Sequence, residues 1–479
     1  MTTAIASPGA LPGPLKGGLL AASVFAACWG GAIWYWRGAS GTPGTAELAL
    51  VLLALPLALV GSMWFGGKLL AKRAAAAPPA TAAAGHPAPA LAPAASLPAL
   101  AIVSSAVRSP YGASAEELAG ALAGNKLRPD LDAELVDDEG FPVAAARCEE
   151  AGDDTLQEEV ETWLAQNGTP ELRFDDVQWR ALTLGSAVVA ELASRAADLL
   201  PAAGKPPVLR LLPLLPADWT PEQRHGAGLW FHHLAASFGW PAAQLALPAA
   251  DAATAEPMAL TPAALFTGLA HEAAQQAGSV VALVVACASH LGQDSIDEWA
   301  GKGILFTPSR PQGLVPGEGA AGLLLTDARL AQSIEGTLFA LLDPAEQVRR
   351  NTEADTARPT RQRPNPALLG ELAGRAGRHG ERGLADIAMV VADSGQRQQR
   401  TLELMGMVSN SMPQLDESED VFCVGSASGA CGDVPFVTAL ALAQHGALAR
   451  GAPVLCIGNE DAQHCCAHLL YPAPGDLAG

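Results

Sequence analysis

From Val280 to Ala288 the chain carries no charged, amide or hydroxyl side chain at either parity. A strand of that composition needs apolar cover on both of its faces. The strand candidate here is Ser279–Cys287, and further mostly apolar runs are Leu100–Val107, Val208–Leu215, Ala320–Leu325, Thr337–Leu342, Asp386–Ala392, Val421–Val424 and Val454–Gly458. Amphipathic stretches of helical length lie between them, among them Pro221–Phe238, Pro262–Gln276 and Arg397–Met412. Buried strands alternating with helices predict an α/β body over residues 99–479, with a buried and mostly parallel sheet.

At 479 residues the chain is long enough for a large core. Its formal charge of −20 is unevenly spread. Residues 1–98 hold Lys16, Arg37, Lys68, Lys72 and Arg73 against Glu47, a net +4, which leaves −24 on the remainder. So acidic a body repels phosphates, which excludes nucleic acid as a partner and favours a basic protein. The 8 cysteines are irregularly spaced and several sit in apolar runs, as reduced thiols packed like small hydrophobes do.

The N-terminal region reads as a membrane hairpin over residues 16–73, after a short tail at 1–15. Gly17–Trp36 and Leu48–Gly67 are uncharged, and each matches one bilayer crossing. Trp34, Tyr35, Trp36 and Trp64 stand near span ends, where aromatic rings favour the interface. Lys68, Lys72 and Arg73 follow the second span, against Arg37 alone in the connecting loop. The positive-inside rule then places both ends in the cytoplasm, at an inner membrane. Residues 74–98 are almost entirely Ala and Pro, a semi-rigid spacer.

Within the body, Gly313-Leu-Val-Pro-Gly-Glu-Gly-Ala-Ala-Gly-Leu-Leu-Leu325 brackets Glu318 between Gly317 and Gly319, a tight turn into an apolar strand. A second glycine loop, Gly425-Ser-Ala-Ser-Gly429-Ala-Cys-Gly432, follows the Val421–Val424 run. Together with the opening order of strand, Ser109-Pro-Tyr-Gly112 loop and a helix started by Ser114, these segments resemble ketosynthases and other thiolase-like proteins. The resemblance implies a layered α/β fold: two buried, mostly parallel sheets with helices between and outside them, in an N-terminal half at 99–335 and a C-terminal half at 336–479. It also implies a homodimer.

In that family a thiolate sits at the N-terminus of a buried helix and two histidines assist it. Here the corresponding helix starts at Thr261-Pro262, preceded by Glu256-Pro-Met-Ala259, and no cysteine lies between Cys148 and Cys287. Where the family's histidines belong, the chain has Asp393-Ser394-Gly395-Gln396 and Val424-Gly425-Ser426-Ala427-Ser428. The expectation is therefore a scaffold without catalytic residues, cofactor or metal. Its anchor and stripped body resemble accessory proteins encoded beside type VI secretion lipase effectors, through Ser411–Asp416, the late glycine loop and Gly458–Ala462. That likeness implies an adaptor role, with an effector or spike component as partner. The alternatives are an active β-ketoacyl synthase-like acyltransferase with relocated residues, or a protein that binds an acyl chain or acyl carrier.

Other motifs are weaker. Gly425-x-x-x-Gly429-x-x-Gly432 imitates a dinucleotide fingerprint but comes too late in the chain for one. Gly425-Ser-Ala-Ser-Gly429 puts Ala427 where a hydrolase elbow needs its serine. His464, Cys466 and His468 share a strand face, yet no second ligand pair has zinc spacing, so the segment reads as an edge strand. Cys287 reads as core packing, and Arg349, Arg350, Arg358, Arg361 and Arg363, broken by prolines, as a solvated loop.

Overall fold

The computed structural model describes residues 97–473, apart from 125–126, 128, 202–203, 248–260, 276–278, 335, 337, 351–363, 380–381 and 396. The chain divides into two compact units, Met1–Ala92 and Pro93–Gly479, and every described residue lies in the second. The expected hairpin at 16–73, with Lys68, Lys72 and Arg73, falls outside the described residues. Among those that are described, no helix is long and apolar enough to cross a membrane.

The first part of the body runs β1 (Leu100–Arg108), α1 (Ala115–Ala123), β2 (Asp130–Val136), β3 (Pro142–Ala145), α2 (Asp154–Gln166), α3 (Asp176–Ala197) and β4 (Leu209–Leu214). It continues through α4 (Pro221–Ser237), β5 (Leu245–Ala246), α5 (Pro262–Gln275), β6 (Val281–Ser289), α6 (Gln293–Lys302), β7 (Glu318–Asp327) and α7 (Ala328–Gln332). The second part runs β8 (Ala340–Leu342), β9 (Glu346–Arg349), α8 (Pro366–His379), β10 (Met389–Ala392) and α9 (Gln398–Ser411). It ends with β11 (Val421–Cys423), α10 (Gly425–Ser428), α11 (Val434–Arg450), β12 (Val454–Gly458) and β13 (His464–Pro472).

Local chemistry starts these helices. Ser114 Oγ accepts from the Glu117 amide at 3.1 Å at the head of α1. Asp175 with Gln178, and Thr220 with Gln223, form reciprocal capping boxes at α3 and α4, and Pro221 occupies the first turn of α4. The Thr261 hydroxyl accepts from Ala264 at 3.3 Å in the same way at α5.

The strands form one order twice. In the first part it is β5-β4-β6-β7-β1, and in the second β11-β10-β12-β13-β8. In each, β4 or β10 is flanked by parallel partners, and the last two strands run antiparallel. β1 and β8 pair antiparallel, Leu100 opposite Leu342, and so join both sets into one continuous ladder. The expectation of two mostly parallel sheets is corrected on this point: the sheet is mixed and continuous. The short β8 reaches the edge strand of the first set, and unsatisfied backbone groups there pair rather than face solvent.

Burial explains the layering. Along β6, Val281, Leu283, Val285 and Cys287 pack outward with α2, α3 and α4, while Ala282, Val284, Ala286 and Ala288 pack inward with α5 and α11. Along β12, Leu455 and Ile457 pack with α8 and α9, while Val454 and Cys456 face the same inner core. Period-two alternation with both faces apolar thus puts α5 and α11 between the two strand sets. The result is a layered α/β arrangement, as the strand pattern implied.

Two further readings are corrected. β13 is no edge strand: it pairs with β12 on one side and with β8 and β9 on the other. Arg350 is no solvated loop residue. It is buried, with Nη2 at 2.9 Å from Glu403 Oε2, because it follows β9 directly and its amide, donating to Gln463 O at 2.6 Å, holds it beside α9. Arg358, Arg361 and Arg363 lie outside the described residues.

Candidate functional site

The Gly-Glu-Gly turn opens β7 directly beneath the late glycine loop. A Cβ on Gly317 would stand 2.0 Å from Ser428 O and 2.8 Å from Gly429 Cα, so backbone lies on backbone between the two motifs. Gly429 takes φ +65, a conformation other residues adopt at a cost. Gly425 lies equally close to Asp393, where an added Cβ would meet its carbonyl at 2.3 Å. Gly319 presses on Arg108 O, at 2.9 Å from its would-be Cβ, and Gly432 (φ +60) turns the chain toward α11.

Glu318 itself is fully buried. Its carboxylate accepts from Arg180 Nε at 2.7 Å and Nη2 at 2.5 Å, from the Cys148 amide at 2.8 Å and from Ser289 Oγ at 3.0 Å. A carboxylate so fully supplied with donors is an anchor: it fixes α3, the segment at Cys148 and the end of β6 against the turn. Arg180 went unread in the sequence, since an arginine on an amphipathic helix shows no partner until the fold brings one.

Above this anchor the ends of β10 and β12 form a carboxylate site. Asp393 Oδ1 accepts from the amides of Asn459 at 2.8 Å and Glu460 at 3.1 Å. Ser394 Oγ donates to Asn459 Oδ1, and Asn459 Nδ2 donates to Arg400 O at 3.2 Å. Burial pushes the Asp393 carboxyl up to about 6, against the pull of those two amides. Burial and then the Asp393 charge push Glu460 up to about 7, opposed by Arg397, whose Nε lies 3.3 Å from Glu460 Oε1. Burial also raises Asp433.

Asp393, Arg397, Asp433 and Glu460 line a cavity of about 240 Å³ together with Gly429, Phe436 and Asp461. A neighbouring cavity of about 140 Å³ shares Asp393, Asp433, Phe436 and Asp461 and extends to Thr261 and Pro262 at the head of α5. The head of α5 and the Asp393 loop, far apart in the sequence, therefore open on one space. Among the described residues no cluster of His, Cys, Asp and Glu has the arrangement of a metal site.

The thiols near this space are packed or held protonated. Cys287 is buried in β6, and burial pushes its thiol up to about 12. Cys431 is buried in the glycine loop, its Sγ at 3.4 Å from Ser428 O, with its thiol raised by burial and by Glu318. His468 lies between Phe266 and Phe436, with Nδ1 3.0 Å from Asp343 O, and burial lowers it to about 4. His464 sits at the start of β13, 3.4 Å from Asp461. Among the described residues, neither Cys287 nor Cys431 belongs to a cluster with two histidines.

No family model matches the chain. No curated protein matches it. Solved structures do. A ketosynthase from module 6 of the bacillaene synthase of Bacillus subtilis 168 superposes with a TM-score of 0.51 at 13% identity, over 78% of this chain and 71% of that one. A type II polyketide ketosynthase, solved with its acyl-carrier protein and bound to a hexaketide, superposes at 0.52 with 10% identity, over 78% of this chain and 99% of that one. The fold is the thiolase-like fold of ketosynthases.

Proposed function

We propose that this chain is a thiolase-like protein that works by binding and does not condense acyl chains, serving as a membrane-anchored accessory or adaptor. The observation that carries the reading is the carboxylate lining of the space at the head of α5. Asp393 stands in a segment where the ketosynthase resemblance puts a histidine, and Asp433 and Asp461 line the same space. Carbon–carbon condensation develops negative charge on the thioester oxygen, and stabilising it requires hydrogen-bond donors or cations. Asp393, Asp433 and Asp461, where ionised, oppose the same charge. The stretch Cys148 to Cys287 also holds no cysteine from which an acyl-enzyme would form at α5.

Incubating the purified full chain with acyl and malonyl thioesters, free and carrier-bound, tests this. The expected result is no acyl adduct by intact mass and no condensed product. An adduct mapped to Cys431 or any other thiol overturns the reading.

The adaptor role rests on the resemblance to accessory proteins of type VI secretion, with the uncharged stretches at 17–36 and 48–67 as the anchor. It predicts that the full chain resists alkaline extraction from membranes and co-purifies with an effector or spike component. Extraction as a soluble protein removes the anchor from the proposal.

A further inference from the structure

The hairpin of β2 and β3 buries one face and leaves the other bare. Leu135 and Val143 pack with Leu291, Ile296 and Trp299. Leu131 and Val136 on β2 are 70% and 38% exposed, and Phe141, in the turn leading into β3, is 62% exposed. Three exposed large side chains on one hairpin mark a contact surface rather than scattered surface apolarity.

A groove runs beside this face. A cavity of about 730 Å³ lies between the hairpin and the Arg108–Ala113 segment. Another of about 370 Å³ reaches toward α2 and shares Glu134 and Arg147 with the first. A third of about 280 Å³ shares Glu150 and Leu184 with the first and Asp153 with the second. Its floor on α3 is small and apolar, with Ala187 and Ala190.

The charge of this region is one-sided. Residues 130–176 hold 16 Asp and Glu against 2 Arg, a net −14 within a chain of −20. The cations within the large cavity are already engaged. Arg108 pairs with Glu191 at 2.9 Å and Glu150 at 3.8 Å, and Arg147 with Asp132 at 2.7 Å and Glu134 at 3.4 Å.

We propose that this apolar hairpin face and its groove dock a basic segment of a protein partner, with aliphatic side chains against Leu131 and Phe141 and lysines or arginines along the groove. Charge complementarity selects that occupant. A second copy is disfavoured, because a symmetric contact would set the acidic face against itself. The proposal deepens the adaptor reading by naming the surface and the chemistry of the partner. Its test uses a synthetic peptide and neither membrane nor effector, so its failure and the failure of the adaptor reading, read by extraction and co-purification, are separable.

The test is binding of the full chain to a synthetic amphipathic Lys/Leu peptide, followed by fluorescence anisotropy, with the Glu/Leu peptide as control. Glu134 and Glu150 are largely exposed, at 77% and 65% of their side chains, so E134K/E150K is expected to fold, which circular dichroism checks. The expected result is selective binding of the Lys/Leu peptide, about tenfold weaker in E134K/E150K and in L131S/F141S, and weakened by salt. The same charge change elsewhere, E371K/E419K, leaves it within about twofold. Equal loss in both charge-reversed proteins shows attraction to net charge alone and overturns the proposal. So does unchanged binding in E134K/E150K, or self-association of the full chain that F141S abolishes.

Discussion

Arg180 and Glu318 meet side by side, Nε to Oε2 at 2.7 Å and Nη2 to Oε1 at 2.5 Å, across 138 positions of sequence. The pair ties the helix α3 to the turn that begins β7, with Glu318 wholly buried and the Arg180 side chain 19% exposed. Breaking one side of such a pair leaves the other charge without compensation. E318Q and R180M are each expected to lose about 3 kcal/mol of stability. The double substitution should recover part of that loss, since neither charge then remains. Chemical denaturation of the full chain measures all three. Additive losses would show that the two residues act independently.

The contact between Gly317 and Gly429 leaves no room for a methyl group. G317A puts a Cβ 2.0 Å from Ser428 O, and G429A combines φ +65 with a contact of 2.9 Å to Gly317 Cα. Each is expected to cost about 2 kcal/mol or more, from overpacking and backbone strain. Gly120 in α1 is the contrast, because nothing lies within 4 Å of its would-be Cβ. G120A should gain about 0.5 kcal/mol through lower unfolded-chain entropy and better helix propensity. Thermal denaturation separates the signs, and a stable G317A would mean that the two loops part without cost.

Asp393 and Glu460 make stability depend on pH. Both titrate higher in the folded protein, at about 6 and about 7, than the ordinary values of 3.8 and 4.5. Between those limits the folded state binds more protons than the unfolded chain, so their contribution is fully present below about 4 and lost as pH rises through 6 to 7. His468, lowered to about 4, pulls the other way: its contribution is present above 6.5 and lost as pH falls toward 4. The difference between wild type and D393N/E460Q isolates the carboxylates. Urea midpoints at acid and alkaline pH should show the substituted protein gaining on wild type as pH rises, and a constant difference would refute the assignment.

The buried thiols predict slow alkylation. Burial holds Cys287 and Cys423 at about 12 and Cys465 at about 11, so little thiolate exists at neutral pH. Iodoacetamide is expected to leave these three untouched in the native protein and to modify all of them in denaturant, read by peptide mapping. Rapid native labelling of Cys287 would place it on a surface the fold does not give it.

Much of the fold was legible because it rests on local periodicity. The both-face apolar pattern of Val281–Ser289 marks a covered strand wherever it occurs, and Ser114 and Thr220 start helices by bonds to near neighbours, with Pro221 in the first turn. The long helix α3 and the β2–β3 hairpin escaped notice, since neither belongs to the run of apolar strands that organised the reading. The site was only half legible. Gly317, Glu318, Gly429 and Asp393 stood out as motif residues, but nothing local indicated that Asn459 and Glu460 would supply amides to Asp393.

The sequence alone determined the alternation of strands and helices, the turns that require glycine, and the lack of a cysteine between Cys148 and Cys287. Those are properties of neighbouring residues and of their covalent identity. Tertiary structure alone decided that Arg180 answers Glu318, that Arg350 is buried beside Glu403, and that the Asp393 loop shares its space with the head of α5. Electrostatic pairing acts through a few ångströms of space, and which distant residues come within that reach is set by strand order and layer packing.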